Sequence, residues 1–84
     1  KGRTFELDGR VLDALVALTR HQEAFFRFEA AYQLGELGDR VALDALRELS
    51  SDPAMPRAES RSTAWSVGQN ARRAIAKIES ADRR

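Results

Sequence analysis

Few side chains in this 84-residue chain could do acid–base or metal chemistry. The sequence has one histidine, His21, and no cysteine. This excludes disulfides, thiolate metal sites and cysteine nucleophiles, and one imidazole is too few for a multi-histidine metal site. A lone histidine between two helical segments is typical of a polar turn residue. We therefore expect no catalytic residue, no metal site and no cofactor, and we interpret the chain as a non-enzyme.

Acidic residues recur at regular intervals in one segment. Glu29 and Glu36 are seven positions apart, so they share a face if the segment is helical, and Glu23 precedes them by six. Paired carboxylates can serve as acid and base. This pattern instead favours the solvated side of an amphipathic helix.

Basic residues are concentrated in the last third of the chain. Residues 53–84 carry a net charge of +4 within a total of +1. Arg73 and Lys77 are four positions apart and Arg72 is adjacent, which places a cationic strip on one helix face. Phosphate binding by this strip would be salt-sensitive, and it gives nucleic-acid or anionic-ligand binding as an alternative function. A cationic helix end that complements the helix dipole is the plainer interpretation.

Aromatic residues offer two further candidates. Phe25, Phe26, Phe28 and Tyr32 resemble a stacking platform, although core packing of Phe26 is the favoured interpretation. Trp65 either anchors a binding partner or packs against the domain and holds the long connection at about 52–63 in place. Both interpretations stay open, because tryptophan is enriched at interfaces and in partly buried positions.

The composition indicates one all-α domain over residues 1–84. Nineteen residues are Leu, Ile, Val or Phe and fourteen are Ala, against seven Gly and Pro, so the chain can fold and favours helix. No apolar run approaches the roughly 18 residues that a membrane span needs, and no export signal is visible, so we expect a cytoplasmic protein without membrane contact.

Apolar spacing predicts four helices. Helix 1 is expected from Gly9 to Arg20 with Asp8 as N-cap, and helix 2 from Gln22 to Leu37, ending at a left-handed Gly38.

The last two helices follow the same logic. Asp39 is expected to cap helix 3, which ends before Asp52-Pro53, and a cap among residues 60–63 is expected before helix 4. The predicted core consists of apolar residues from all four helices: Leu15, Leu18, Phe26, Ala30, Leu34, Leu37, Leu43, Leu46, Leu49, Ile75 and Ile78.

The sequence repeats itself. Residues 8–18 align with residues 39–49 at an offset of 31, sharing Leu-Asp-Ala-Leu, and Ala30, Leu34 and Leu37 align with Ala71, Ile75 and Ile78 at an offset of 41. This predicts a first repeat over about 8–38 and a second over about 39–80, with a long connection at about 52–63.

Helix 1 differs from its counterpart in the second repeat. Val16 aligns with Arg47, so the face that helix 3 turns to solvent is apolar in helix 1. We therefore predict a partner-binding surface at Leu12 and Val16. We expect self-association through this surface, most simply a two-fold dimer, and adjacent repeats of a longer chain or residues 4–7 folded back are the alternatives that would cover it.

A family resemblance rests on one stretch. Phe26-Arg27, Ala30-Ala31, Leu34-Gly35 and Leu37-Gly38-Asp39, followed by an Ala/Leu-rich helix, resemble the HEAT-like repeat, especially the short bacterial form named after phycobilin lyases. The resemblance implies antiparallel helix pairs stacked into a short α-solenoid, with the second helix of each pair lining a concave binding face.

The resemblance also implies structural roles for single residues. An arginine early in the second helix often bonds to a turn aspartate, and Arg27 and Asp52 hold these positions in different repeats, so the expected bond joins the two repeats. Gly35 would let a neighbouring helix approach closely. The implied function is protein–protein interaction or assembly through an unidentified protein partner; a lyase-like accessory subunit acting on a chromophore-bearing protein is a further alternative.

Overall fold

The computed structural model describes residues 2–56 and 65–82, and the side chains of residues 10–56 and 65–81. These residues contain four α-helices and no strand, which confirms the all-α class. The helices are α1 (Gly2–Leu18), α2 (Ala24–Leu37), α3 (Leu43–Leu49) and α4 (Val67–Asp82), and a 3₁₀ turn (Arg40–Ala42) precedes α3.

Helix α1 begins earlier than the sequence predicts. It is continuous from Gly2 to Leu18, so Asp8 lies within the helix rather than at its N-cap. Residues 4–7 belong to the same helix and do not fold back over it. Gly9 weakens a helix by only about 1 kcal/mol relative to alanine, and no proline precedes it, so the helix can run through the predicted boundary.

The junction between α2 and α3 contains the predicted C-terminal end of one helix and the predicted N-cap of the next. Gly38 adopts φ 71° and ψ 21°, and its amide donates to the carbonyl of Leu34. This left-handed conformation ends α2 and favours glycine because it lacks Cβ. The Asp39 carboxylate then accepts from the amide of Val41 at 2.9 Å and starts the next turn.

Helix α4 begins with a reciprocal capping box. The Ser66 amide donates to Oε1 of Gln69 at 2.8 Å, and the Gln69 amide donates to Oγ of Ser66 at 3.1 Å. Two amide groups without helical partners are thereby satisfied. The cap expected among residues 60–63 falls outside the described residues, and the observed cap, Ser66, lies closer to the helix.

Contacts between the helices define their directions. Phe28, Gly35 and Glu36 of α2 contact residues 70, 74 and 77 of α4 in the same order, so these helices run parallel. Arg47 contacts residue 79 and Ser50 contacts residue 72, so α3 and α4 run antiparallel. These directions are those of helix pairs stacked side by side, and the full solenoid stays a prediction.

The core lies between α2, α3 and α4. Six predicted core residues are buried in it: Ala30, Leu34, Leu43, Leu46, Leu49 and Ile78. Leu15 and Ile75 are partly buried against it, and Leu18 is also half-buried.

Two predicted core residues of α2 are on the surface. Phe26 is 42% exposed and Leu37 is 47% exposed. The reason is that α2 packs against α1 on one side and α4 on another, and this second contact buries Phe28 and Ala31 instead. The buried face of α2 therefore includes Phe28 and Ala31 and does not include the predicted Phe26 and Leu37.

The side of α1 that faces the core also differs from the predicted side. Leu12 and Val16 pack against the core, whereas Val11 is 48% exposed. Leu12 and Val16 are thus partly buried by the domain itself, and partner binding at these two residues stays a prediction.

No helix in the described part of the chain combines the length and the apolar character that crossing a bilayer requires.

Candidate functional site

The site is built on a close crossing of α2 and α4. A Cβ placed on Gly35 would lie 2.9 Å from Cβ of Ala74, nearer than real side chains approach. The packing role predicted for Gly35 is thus present, and Ala74 is the neighbour. The close crossing lies between two polar contacts that join the helices, from Asn70 to the carbonyl of Phe28 and from Lys77 to Glu36.

Asn70 is a buried polar residue between the two helices. It is 2% exposed, and its Nδ2 donates to the carbonyl of Phe28 at 2.9 Å. Its Oδ1 accepts from Nε of Arg73 at 3.3 Å. A buried amide needs such partners, and in satisfying them Asn70 fixes the position of the Arg73 side chain.

Arg73 is held from two sides. The Asn70 bond fixes its Nε, and its guanidinium carbon lies 5.1 Å from the ring centroid of Tyr32, a cation–π contact. Its Nη2 is buried and has no hydrogen-bond partner among the described residues. The guanidinium therefore keeps an N–H group whose bond is unmade.

A cavity of about 160 Å³ lies between α2 and α4 and has Arg73 in its lining. It is lined mainly by aromatic rings and closed by two polar side chains: Phe28, Tyr32, Trp65, Asn70 and Arg73. Phe28 is buried, whereas Tyr32 and Trp65 are 42% and 38% exposed. The rings thus form walls that are open to solvent, and the structure places the predicted partner residue Trp65 in one of them.

The predicted cationic strip on α4 is divided among three different partners. Lys77 donates to Oε2 of Glu36 at 2.7 Å, and Arg72 donates to the backbone carbonyl of Ser50. The hydrogen bond and the positive charge of Lys77 lower the pKa of Glu36, and Arg73 adds a smaller effect. Arg73 is the member of this group that faces the cavity.

Arg27 and Asp52 form the ion pair that the resemblance implies. Nε of Arg27 donates to Oδ2 of Asp52 at 2.7 Å, with both side chains less than one-fifth exposed. Nη1 of Arg27 also donates to the carbonyls of His21 and Gln22 at 2.8 Å. One side chain therefore joins the α1–α2 turn to the segment after α3.

Asp52 is in turn fixed by its own neighbours. Partial burial opposes its ionisation, but the Ala54 amide and the bond and charge of Arg27 outweigh burial and lower its pKa. Its carbonyl accepts from the amide of Gly68 at 2.8 Å. A Cβ at Gly68 would lie 2.6 Å from the carbonyl oxygen of Ser50, so glycine is what allows α4 to begin there.

His21 has a structural position. Its Nδ1 accepts from the amide of Glu23 at 3.0 Å, and its ring lies 4.6 Å from that of Phe26. Among the described residues, no group of three His, Cys, Asp or Glu side chains could hold a metal ion.

The sequence reasoning missed the role of Asn70 and the pairing of Tyr32 with Arg73. Phe28 and Tyr32 are four positions apart on α2, and Asn70 and Arg73 are three positions apart on α4. These helical spacings could have indicated two rows of side chains that face each other. The distance between them could not be inferred, because it depends on the contact of Gly35 with Ala74.

The comparisons with known proteins agree with this architecture. A family model described as PBS lyase HEAT-like repeat matches residues 26–52, which comprise most of α2, the 3₁₀ turn and α3. No curated protein and no solved structure matches the chain. The matched segment starts beside Arg27 and ends at Asp52, so the ion pair links its two ends. Residues 26–52 are therefore similar to a PBS lyase HEAT-like repeat.

Proposed function

We propose that this chain is a non-enzymatic helical-repeat module that binds another protein through the face formed by α2 and α4. The observation that carries the proposal is the group of Tyr32, Trp65 and Arg73 around one open cavity. Tyrosine, tryptophan and arginine are the residue types that dominate binding energy at protein interfaces. Two of these side chains are more than one-third exposed, so they are accessible to a partner.

The HEAT-like repeat supports the same face. The resemblance implies that the second helix of each pair lines the binding surface, and α2 and α4 are the second helices of the two repeats that the sequence predicts. The cavity lies between these two helices, so the repeat pattern and the exposed aromatic residues favour the same surface.

Nucleic-acid binding through α4 is less well supported. Lys77 and Arg72 are already bonded to Glu36 and to the Ser50 carbonyl, which leaves fewer cations to neutralise phosphates. Lyase-like activity on a chromophore-bearing protein rests on the family description alone.

Site-specific photo-crosslinking tests the proposed function. A benzophenone amino acid replaces Tyr32 in one variant and Val11, a residue of α1 with similar exposure, in the control. In cells that express the chain, we expect a discrete crosslinked protein from position 32 and not from position 11. Equal products from both positions, or none from either, would contradict binding through the α2–α4 face.

A further inference from the structure

The cavity between α2 and α4 offers an occupant a surface of mainly aromatic carbon. Phe28, Tyr32 and Trp65 provide three of its five lining side chains. The polar residue Asn70 is only 2% exposed, and its amide is bonded to the Phe28 carbonyl and to Nε of Arg73. Nη2 of Arg73 is itself buried, so a molecule in the cavity cannot reach it. The chemistry of the walls therefore favours an apolar occupant.

A carboxylate is disfavoured in this cavity. On entering, it would give up hydrogen bonds to water, and burying a charge without replacing such bonds is costly. Nε of Arg73 is held by Asn70 and Nη2 is buried, so neither donor can replace the lost bonds.

A cation is disfavoured by the positive charge that already lies on one wall. Aromatic rings attract cations to their faces, but the guanidinium carbon of Arg73 already lies 5.1 Å from the ring centroid of Tyr32. Glu36 is the neighbouring carboxylate, and it is bonded to Lys77 at 2.7 Å. Two cations and one anion leave a net positive charge beside the cavity, so a second cation would be repelled.

We propose that this cavity binds one leucine-sized apolar side chain of the partner protein. The side chain would displace water from the rings of Tyr32 and Trp65 and pack against Phe28. Association is favoured in proportion to the apolar area that is removed from water. The proposal rests on the proposed function and deepens it, because it names the partner group that the α2–α4 face recognises.

The size of the cavity limits the occupant to one side chain. Its volume is about 160 Å³, and an apolar cavity of about 150 Å³ holds one benzene molecule. The isobutyl group of leucine is smaller than benzene and fits. A backbone segment does not suit these walls, because its N–H and C=O groups need hydrogen-bond partners.

The test uses N-acetyl-leucine N-methylamide as the probe. Trp65 is the one tryptophan of the chain, so its indole N–H signal in NMR and its fluorescence report on the cavity wall directly. We expect a saturable shift of the indole signal with a dissociation constant of about 10 to 100 mM, the range for burying one leucine side chain. The emission of Trp65 should move to shorter wavelength as water leaves the ring.

Three further probes test the chemistry of the occupant. The asparagine and aspartate analogues have the same branched shape as leucine but carry polar atoms in place of its methyl groups, and the lysine analogue carries a cation. None of the three should give a saturable shift over the same range. Equal binding of the leucine and asparagine probes to the wild-type protein would overturn the proposal, as would the absence of a saturable shift with leucine. These comparisons need no variant to fold.

A matched pair of variants assigns the binding to the cavity. Tyr32 and Phe26 are both on α2 and both 42% exposed, but only Tyr32 lines the cavity. Tyr32→Ala should abolish the saturable shift of Trp65, whereas Phe26→Ala should retain it. Equal loss in both variants, or full retention in Tyr32→Ala, would contradict binding between these walls.

The outcome is separable from that of the proposed function. If a partner crosslinks at position 32 but the leucine probe fails, the α2–α4 face binds a protein by another chemistry and the present proposal is wrong. If the leucine probe binds but no partner crosslinks, the preference of the cavity for an apolar group is supported and the protein-binding role is wrong.

Discussion

Arg27 and Asp52, 25 positions apart, meet at 2.7 Å and close the ends of the HEAT-like segment. Because Arg27 also binds two carbonyls of the α1–α2 turn, the pair holds this turn and the segment after α3 in a fixed relative position.

Removing either member of this pair should destabilise the domain. Arg27→Met is expected to cost about 1.5 to 3 kcal/mol, the range for hydrogen bonds to charged groups. Asp52→Asn keeps an acceptor for the Ala54 amide and removes the charge. A double-mutant cycle by chemical denaturation should give a coupling of about 1 to 3 kcal/mol, and strictly additive effects would contradict the pairing.

The same pair predicts how stability depends on pH. The folded-state pKa of Asp52 is lowered from 3.8, so the stabilisation is complete above pH 3.8 and is lost as pH falls through the folded value. Unfolding free energies of wild type and Asp52→Asn, measured over a pH series, should therefore converge below pH 3.8. A difference that stayed constant down to the lowest pH would contradict this assignment.

The crossing of α2 and α4 can be tested by exchanging its two smallest residues. Gly35→Ala gains about 1 kcal/mol of helix propensity but forces a Cβ against Ala74, and overpacking costs about 1 to 3 kcal/mol. We expect net destabilisation in thermal unfolding, which Ala74→Gly in the same chain should relieve. If the change in unfolding free energy of the double variant equalled the sum of the changes in the two single variants, the Gly35–Ala74 contact would not limit how closely the helices cross.

Two leucines that the sequence predicts to be in the core, Leu46 of α3 and Leu37 of α2, differ in burial. Leu46 is fully buried, and Leu46→Ala should cost about 2 to 5 kcal/mol. Leu37 is 47% exposed, so Leu37→Ala should cost less than about 1 kcal/mol. Urea denaturation of both variants measures the difference, and similar losses would place Leu37 in the core after all.

The rotated face of α1 makes an opposite pair of predictions for two valines. Val16 packs against the core, so Val16→Arg should destabilise the fold by about 2 to 3 kcal/mol. Val11→Arg places the same charge on an exposed position and should stay within about 0.5 kcal/mol of wild type. Circular dichroism during urea denaturation separates the two, and a stable Val16→Arg domain would show that the face is misassigned.

Local signals in the sequence predicted local structure well. Gly38 and Asp39 mark a helix end and a helix start, because their backbone and side-chain preferences act within a few residues. The buried face of α3 also followed from apolar spacing, because one stripe faces one core.

Features that depend on a second neighbour were not predictable in the same way. Helix α2 has two packing partners, so apolar spacing alone could not decide between Phe26 and Phe28 as the buried ring. The cavity depends on the side chains of two helices 42 positions apart, such as Phe28 and Asn70, and on a close approach that a single glycine permits. Individual cations were identifiable from the sequence, but their partners were not.

The backbone bond from the Val67 amide to the Ala54 carbonyl, 2.9 Å long, brings together the two ends of the intervening chain. The entropy of closing a loop grows only logarithmically, by about 0.6 kcal/mol for each doubling of length. Since the ends are anchored by α4 and by the turn at Asp52, the number of residues between them has little influence on how the helices pack. The connection can thus gain or lose residues over evolution, or accept an inserted peptide, while the helical framework on either side is preserved.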